Sequence, residues 1–160
     1  MISFDLTGKV AVITGASSGL GEQFAKALSE QGCDVAVLAR RVERLEELSK
    51  KLKENGHDCL PVACDVTNEE SIKETVKKIE EHYGHIDILV NAIAPGVYDT
   101  EMTHGALDAP GSLVLKNRVA LKRFGREGEM NGALVYFASD ACTYTTGQTL
   151  VVDGGMTSML

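Results

Sequence analysis

The feature that most constrains this chain is a glycine-rich turn set between two strongly patterned segments. Val10-Ala11-Val12-Ile13 is a short continuous apolar run rich in β-branched side chains, the pattern of a strand buried on both faces of a parallel sheet. Thr14-Gly15-Ala16-Ser17-Ser18-Gly19-Leu20-Gly21 follows at once. Beyond it Leu20, Phe24, Ala27 and Leu28 recur at the spacing of an amphipathic helix, until Gly32 supplies a left-handed stop. A loop in that position can bring backbone amides and a helix N-terminus against a pyrophosphate. Glycines also serve as plain turn residues, so it is the placement between strand and helix that carries the signal.

The same rhythm continues. Val35-Ala36-Val37-Leu38 reads as a second buried strand, and Val42, Leu45, Leu48 and Leu52 line one face of a helix ending near Asn55-Gly56. Leu60 to Cys64 is a third strand candidate. Thr67 to Glu70 matches a capping box opening a third helix, whose buried face would be Ile72, Val76 and Ile79. Ile86 to Val90 is the fourth strand. Strands alternating with helices predict an α/β fold, a Rossmann-like doubly wound parallel sheet of about five strands. After Asn91 the rhythm breaks. Ala94-Pro95-Gly96 begins an irregular, loop-like stretch to about Ser112, and Leu113 to Arg126 could hold a short helix. Glu127 to Ala138 reads as a helix despite Gly132, and Gln148 to Val152 as a last strand before Asp153-Gly154-Gly155. Residues 1–160 read as a single dinucleotide-binding domain.

Composition bounds the partners. The 160 residues carry a net charge of -7 with 24% charged and 44% hydrophobic residues, an ordinary globular balance. There is no broad basic surface, which argues against nucleic acid and against an anionic membrane as partners. Any anion site must be local. Cys33, Cys59, Cys64 and Cys142 form neither a Cys-x-x-Cys pair nor a cluster at zinc spacing. They read as reduced thiols of a cytoplasmic protein with no metal site. The N-terminus lacks the basic and apolar regions of a signal peptide, and no apolar run approaches a membrane span.

The glycine spacing, three residues between the first two glycines and one before the third, resembles the short-chain dehydrogenase/reductase family. The resemblance continues in Asp65-Val66, Ile88-Leu89-Val90-Asn91-Ala92, Pro95-Gly96-Val97-Tyr98-Asp99-Thr100 and Gly147 to Gly155, in family order along nearly the whole chain. It implies a nicotinamide dinucleotide as partner, with a small-molecule carbonyl or alcohol as substrate. Gly15, Ser17, Ser18, Gly19, Leu20 and Gly21 would hold the pyrophosphate. Asp65 and Val66 would contact the adenine, Asn91 and Ala92 would approach its ribose, and Pro95, Gly96, Val97 and Thr100 would hold the nicotinamide carboxamide. Asp65 could instead act only as a helix cap, and Thr100 only as a loop hydroxyl.

The end of the second strand decides between cofactors. NAD would need a carboxylate there for its ribose hydroxyls, whereas the chain reads Leu38-Ala39-Arg40-Arg41. A guanidinium pairs with the 2′-phosphate of NADP, so NADP (NADPH) is favoured over NAD, with Arg40 the better candidate and Arg41 beside it. The alternative is a solvated helix start, with Arg41 and Arg44 pairing to Glu43, Glu46 or Glu47.

The resemblance also implies a catalytic serine and a tyrosine four residues before a lysine. Asp87, Met102, Asp140 and Gln148 follow the four tyrosines at that distance, so no catalytic residue is assigned. The family runs through about 60 more residues between the fourth strand and the proline-glycine loop, at roughly 30 per βαβ unit. Here Asn91 stands four residues from Pro95, so the chain looks internally shortened near 91–94, joined through a shared Val90-Asn91-Ala92. Tyr98 and His104 remain the nearest alternative proton donors, though each also reads as an ordinary loop residue. The lost helices would form much of a subunit interface, which implies exposed apolar surface and a possible homo-oligomer with an altered interface.

Overall fold

The computed structural model describes residues 3–54, 56–91, 95–109 and 111–158. β1 (Val10–Thr14), β2 (Asp34–Ala39), β3 (Cys59–Ala63) and β4 (Ile88–Val90) form one parallel sheet in the order β3-β2-β1-β4. Val12 lies opposite Ala36 on one side and Leu89 on the other, which fixes the faces. Ala11, Ile13, Val35 and Val37 point to a core shared with α1 (Gly19–Glu30) and α2 (Val42–Glu54), where Phe24, Leu28, Leu45 and Leu48 are buried. Val12, Ala36, Leu38 and Val62 point to the other face, covered by α3 (Glu69–Tyr83). The α/β doubly wound class predicted from the alternating pattern is the class observed.

Among the described residues the sheet has four strands rather than about five. Among the described residues Gln148 to Val152 forms no strand; its one ladder contact is the isolated parallel bridge between Val152 and Pro95. Leu150 and Val151 are left exposed. β4 begins at Ile88 rather than Ile86 and is the last strand in the sheet order. Of the predicted junction near 91–94, residues 92–94 lie outside the described residues.

Smaller corrections have local causes. The cap of α3 is Asn68, whose side chain accepts from the N–H groups of Glu70 and Ser71, so the Thr67-to-Glu70 capping box does not form. Thr67 is drawn instead to Asp65. Only Ile79 of the expected apolar stripe on α3 is buried; Ile72 and Val76 stay 39% and 38% exposed. The loop after Thr100 contains α4 (His104–Leu107), and α5 (Ser112–Asn117) fills the expected short helix. α6 spans Asn131–Ala138 instead of starting at Glu127, since Gly128 turns the chain at φ +84° and the Glu129 carboxylate clamps Arg123. Leu134 of α6 and Met130 join the core against α1.

All four cysteines are free. Burial pushes the thiols of Cys33 and Cys59 up to about 12 and about 11, so they are inert at neutral pH. Among the described residues, no helix is long and apolar enough to cross a membrane, and no group of three or more ligating side chains could hold a metal.

Candidate functional site

The turn Thr14 to Gly21 sits at the C-terminal end of β1, tied to β2 by the Ala16 N–H donating to the Leu38 carbonyl at 3.1 Å. That is where open α/β sheets hold ligands. Two of its glycines are required by geometry. Gly19 has φ +59°, and a side chain there would also reach Thr100 at 3.6 Å; a Cβ on Gly21 would lie 2.5 Å from the Gly15 carbonyl oxygen. Ser18 is the N-cap of α1, yet its side chain makes no capping bond to the helix. The amides of the first turn, Gly19 to Gly21, therefore remain free to take an anion, and the helix dipole favours one there.

The serine hydroxyls are held from outside the turn. Arg41 donates through Nη2 to Ser17 Oγ at 3.1 Å and to Ser18 Oγ at 3.0 Å. Arg40 is exposed and contributes a weaker field that helps hold the Asp65 carboxyl below its ordinary range. The main cause at Asp65 is Thr67, which donates from N–H and Oγ1 at 3.0 and 2.7 Å. Asp65 therefore shapes the turn before α3 at the end of β3, and Val66 beside it is exposed. Of the two arginines, Arg41 is the one in contact with the glycine turn. Leu20 packs partly buried against the core below.

The opposite wall comes from the chain after β4. Asn91 accepts from Thr14 Oγ1 at 3.1 Å through Oδ1, stitching the ends of β1 and β4 together. Ala92 lies outside the described residues. Pro95 bridges to Val152, and the Gly96 N–H donates to the Val152 carbonyl at 3.1 Å. The Val97 carbonyl accepts from Gly125 N–H at 2.9 Å. Thr100 sits across from Gly19, its N–H bound to Thr103 Oγ1 at 2.9 Å. A cavity of about 390 Å³ lies between α1 and this loop, lined by Gly19, Gln23, Lys26, Asp99, Thr100 and His104 among others.

Sequence reasoning missed the clasp that spans the mouth. Arg44 makes a two-pronged bond to Glu101 at 2.9 and 3.2 Å, and this guanidinium holds the Glu101 carboxyl below its ordinary range. Arg44 thus pairs across the site and not along its own helix. No periodicity links residues 57 apart.

The two alternative proton donors are each engaged by a neighbour. Tyr98 is 6% exposed, its hydroxyl donates to the Val152 carbonyl at 3.3 Å, and burial pushes its phenol further up. His104 is turned to solvent and bound to Asp99 at 3.0 Å.

Residues 9–94 match the family described as short chain dehydrogenase, and residues 88–157 match the one described as enoyl-(acyl carrier protein) reductase. The chain belongs to the short-chain dehydrogenase family. It is 44% identical over 103 residues to a glycine betaine reductase of Emericella nidulans, covering 64% of this chain and 8% of that protein. It is 48% identical over 85 residues to a farnesol dehydrogenase of Aedes aegypti, covering 52% of this chain and 35% of that one. An uncharacterized oxidoreductase of Staphylococcus saprophyticus is 40% identical over 106 residues, 66% of this chain and 45% of its own length. The matched stretch is thus less than half of each of these curated relatives. Among solved structures, a gluconate 5-dehydrogenase from Burkholderia cenocepacia in complex with NADP and tartrate superposes with a TM-score of 0.91 at 21% identity, covering 98% of each chain.

Proposed function

We propose that this chain is a nicotinamide-dinucleotide-binding module of the short-chain dehydrogenase/reductase type that prefers NADPH to NADH and supplies no proton donor of its own. The observation that carries the reading is Arg41 resting on Ser17 and Ser18, with Arg40 beside it and no carboxylate at the end of β2. A guanidinium placed there can trade two serine bonds for a 2′-phosphate, a charge-assisted exchange that the 2′-hydroxyl of NADH does not offer. The uncapped first turn of α1 would take the pyrophosphate, and Thr100 with Pro95 to Val97 would border the nicotinamide end. The bound nicotinamide would supply or accept a hydride. Two fold neighbours solved with NADP accord with that cofactor.

Reduction of a ketone, or oxidation of a secondary alcohol, also needs a group that exchanges a proton with the substrate oxygen. Tyr98 is committed to Val152 inside the core, Tyr83 donates to the Val35 carbonyl at 3.3 Å and Tyr136 is bonded to Thr145 at 2.7 Å. Tyr144 is fully exposed, with no lysine four residues on. A phenol of ordinary pKa, about 10, needs a neighbouring cation to work near neutrality. The proposed reading is therefore binding without turnover, in a single cytoplasmic domain spanning residues 1–160.

A second reading is a shortened product of a longer oxidoreductase. The two family matches overlap at residues 88–94, where Val90-Asn91-Ala92 can end either the fourth strand or the strand feeding the Pro95 loop. Titrating the chain with NADPH and with NADH, followed by nucleotide fluorescence, separates the readings. Saturable binding that favours NADPH, with no ketone reduced, supports the module. A folded chain that binds neither nucleotide leaves the motifs as relics, and turnover that persists through further purification overturns the absence of a proton donor.

A further inference from the structure

We propose that Glu101 is an internal anion held over the glycine turn, and that it withholds Arg44 from the 2′-phosphate of a bound dinucleotide, so that this pair sets how strongly the site prefers a phosphorylated ribose. The inference rests on the reading of this site as one for NADPH. Arg41 immediately precedes α2 and Arg44 lies in its first turn. Arg41 reaches back to Ser17 and Ser18, while Arg44 reaches across to the loop after Thr100. That loop lies close to the turn, since a Cβ on Gly19 would stand 3.6 Å from the Thr100 Cβ. Glu101 is the next residue, and Arg44 takes both of its carboxylate oxygens, at 2.9 and 3.2 Å. Arg44 is the main cause of the lowered Glu101 pKa; the field of Arg41 and the Ser18 hydroxyl add to it. One carboxylate thus draws on two guanidiniums and a serine hydroxyl, a donor set that suits a phosphate monoester equally well.

The pair is built to be exchanged. The Arg44 and Glu101 side chains are 46% and 54% exposed, and a surface pair of this kind favours its closed state by no more than about 5-fold. The other two-pronged pair of the chain shows the contrast. Glu129 binds Arg123 through both oxygens and also accepts from the Arg126 N–H at 2.7 Å, which ties that carboxylate to the backbone. Among the described residues no backbone N–H donates to the Glu101 carboxylate, so nothing but side chains keeps it in place. The planar fork of Arg44 matches carboxylate and phosphate alike and gives up little geometry on changing partner. A phosphate monoester carries a charge of about -1.5 to -2 near neutrality and can displace a single carboxylate, whereas the 2′-hydroxyl of NADH cannot. Release of Glu101 then adds Arg44 to Arg41 at the phosphate.

Fluorescence titration of the full chain with NADPH and with NADH, read as the ratio of the two affinities, tests this. Glu101→Gln keeps the shape of the side chain and drops its charge, and is expected to raise the NADPH-to-NADH ratio about 5-fold. Arg44→Gln opens the same clasp but removes the guanidinium, so the ratio should be no higher than in the wild type. Glu74→Gln makes the same change of charge at an exposed position on α3 and should not move the ratio. An unmoved ratio in Glu101→Gln, an equal rise in Glu74→Gln, or a rise in Arg44→Gln would each overturn the proposal. A wild type without preference for NADPH counts against the cofactor reading alone, because the clasp is judged by the change of ratio between variants. A folded wild type and a folded Glu101→Gln chain that bind neither nucleotide would overturn both.

Discussion

Residues 10–90 and residues 95–158 use similar apolar material to different ends. In the first stretch every strand of the sheet has a neighbour, and Leu28, Leu45, Val35 and Val37 are sealed beneath α1 and α2. In the second, Tyr98, Val119, Met130 and Leu134 are buried, while Leu113, Val114, Leu121, Leu150 and Val151 face solvent among the described residues. α4 and α5 bury no residue. The difference comes from pairing. A strand sequence becomes core only if another strand satisfies its backbone and a helix covers its face, and among the described residues after Val90 no strand joins the sheet.

The largest test applies one truncation to both regions. Leu28→Ala opens a cavity in the sealed layer and is expected to cost about 3 kcal/mol in urea unfolding, within the usual range of 2–5. Leu113→Ala, in a side chain already in water, should change stability by less than about 0.5 kcal/mol. Comparable losses at both sites would dissolve the contrast. Gly21→Ala comes next. Its Cβ would press on the Gly15 backbone, which can move only by reshaping the turn. An expected loss of about 1–3 kcal/mol should be accompanied by loss of both nucleotides, because the amides of the first helical turn no longer converge. Retained NADPH affinity in a folded Gly21→Ala chain would remove the turn from the binding site.

Arg41→Ala acts on binding and not on folding. Its guanidinium contacts two hydroxyls at the surface, so stability should be unchanged, while NADPH affinity falls about 10-fold and NADH affinity does not move. Arg40→Ala is expected to have the smaller effect, since Arg40 touches Asp65 only through its field. The reverse order, measured by the same fluorescence titration, would return the phosphate contact to Arg40.

The same divide governs what could be read from the sequence. Val10 to Ile13, the glycine turn and the stripes of α1 and α2 each repeat a period set by their own backbone, and all are found where the pattern put them. Local chemistry misled at α3, where Asn68 displaced Thr67 as cap because Asp65 had already engaged Thr67. Strand propensity alone misled at Leu150 to Val152, which is apolar and rich in valine but among the described residues makes only an isolated bridge, to Pro95. The choice of Arg41 over Arg40 turned on which side chain reaches back 23 or 24 residues, and the Arg44–Glu101 clasp on a contact spanning 57. Neither distance leaves a mark in a periodicity. Tyr98 could not be placed either, because its burial depends on Val152 and Gly125, far along the chain.

The smallest expected effect lies in the loop that faces the glycine turn. Asp99, bonded to His104, raises the imidazole pKa above its ordinary 6.5, with Asp108 adding to the shift. A group whose folded pKa is raised contributes its full stabilisation below the unfolded value and loses it as pH rises through the folded one. The Asp99–His104 tie is thus complete below about pH 6.5 and fades above it. The pair is solvent-exposed, so no change in global stability is expected. What should change is local. Amides of the loop and of α4, corrected for intrinsic exchange, should open more readily as pH rises through the imidazole pKa, while those of β1 and β2 stay indifferent. Asp99→Asn should lower the His104 pKa toward its ordinary value in an NMR titration and flatten that dependence. An unmoved His104 titration would show that the loop is held by Thr100, Thr103 and the Arg44–Glu101 clasp without help from this pair.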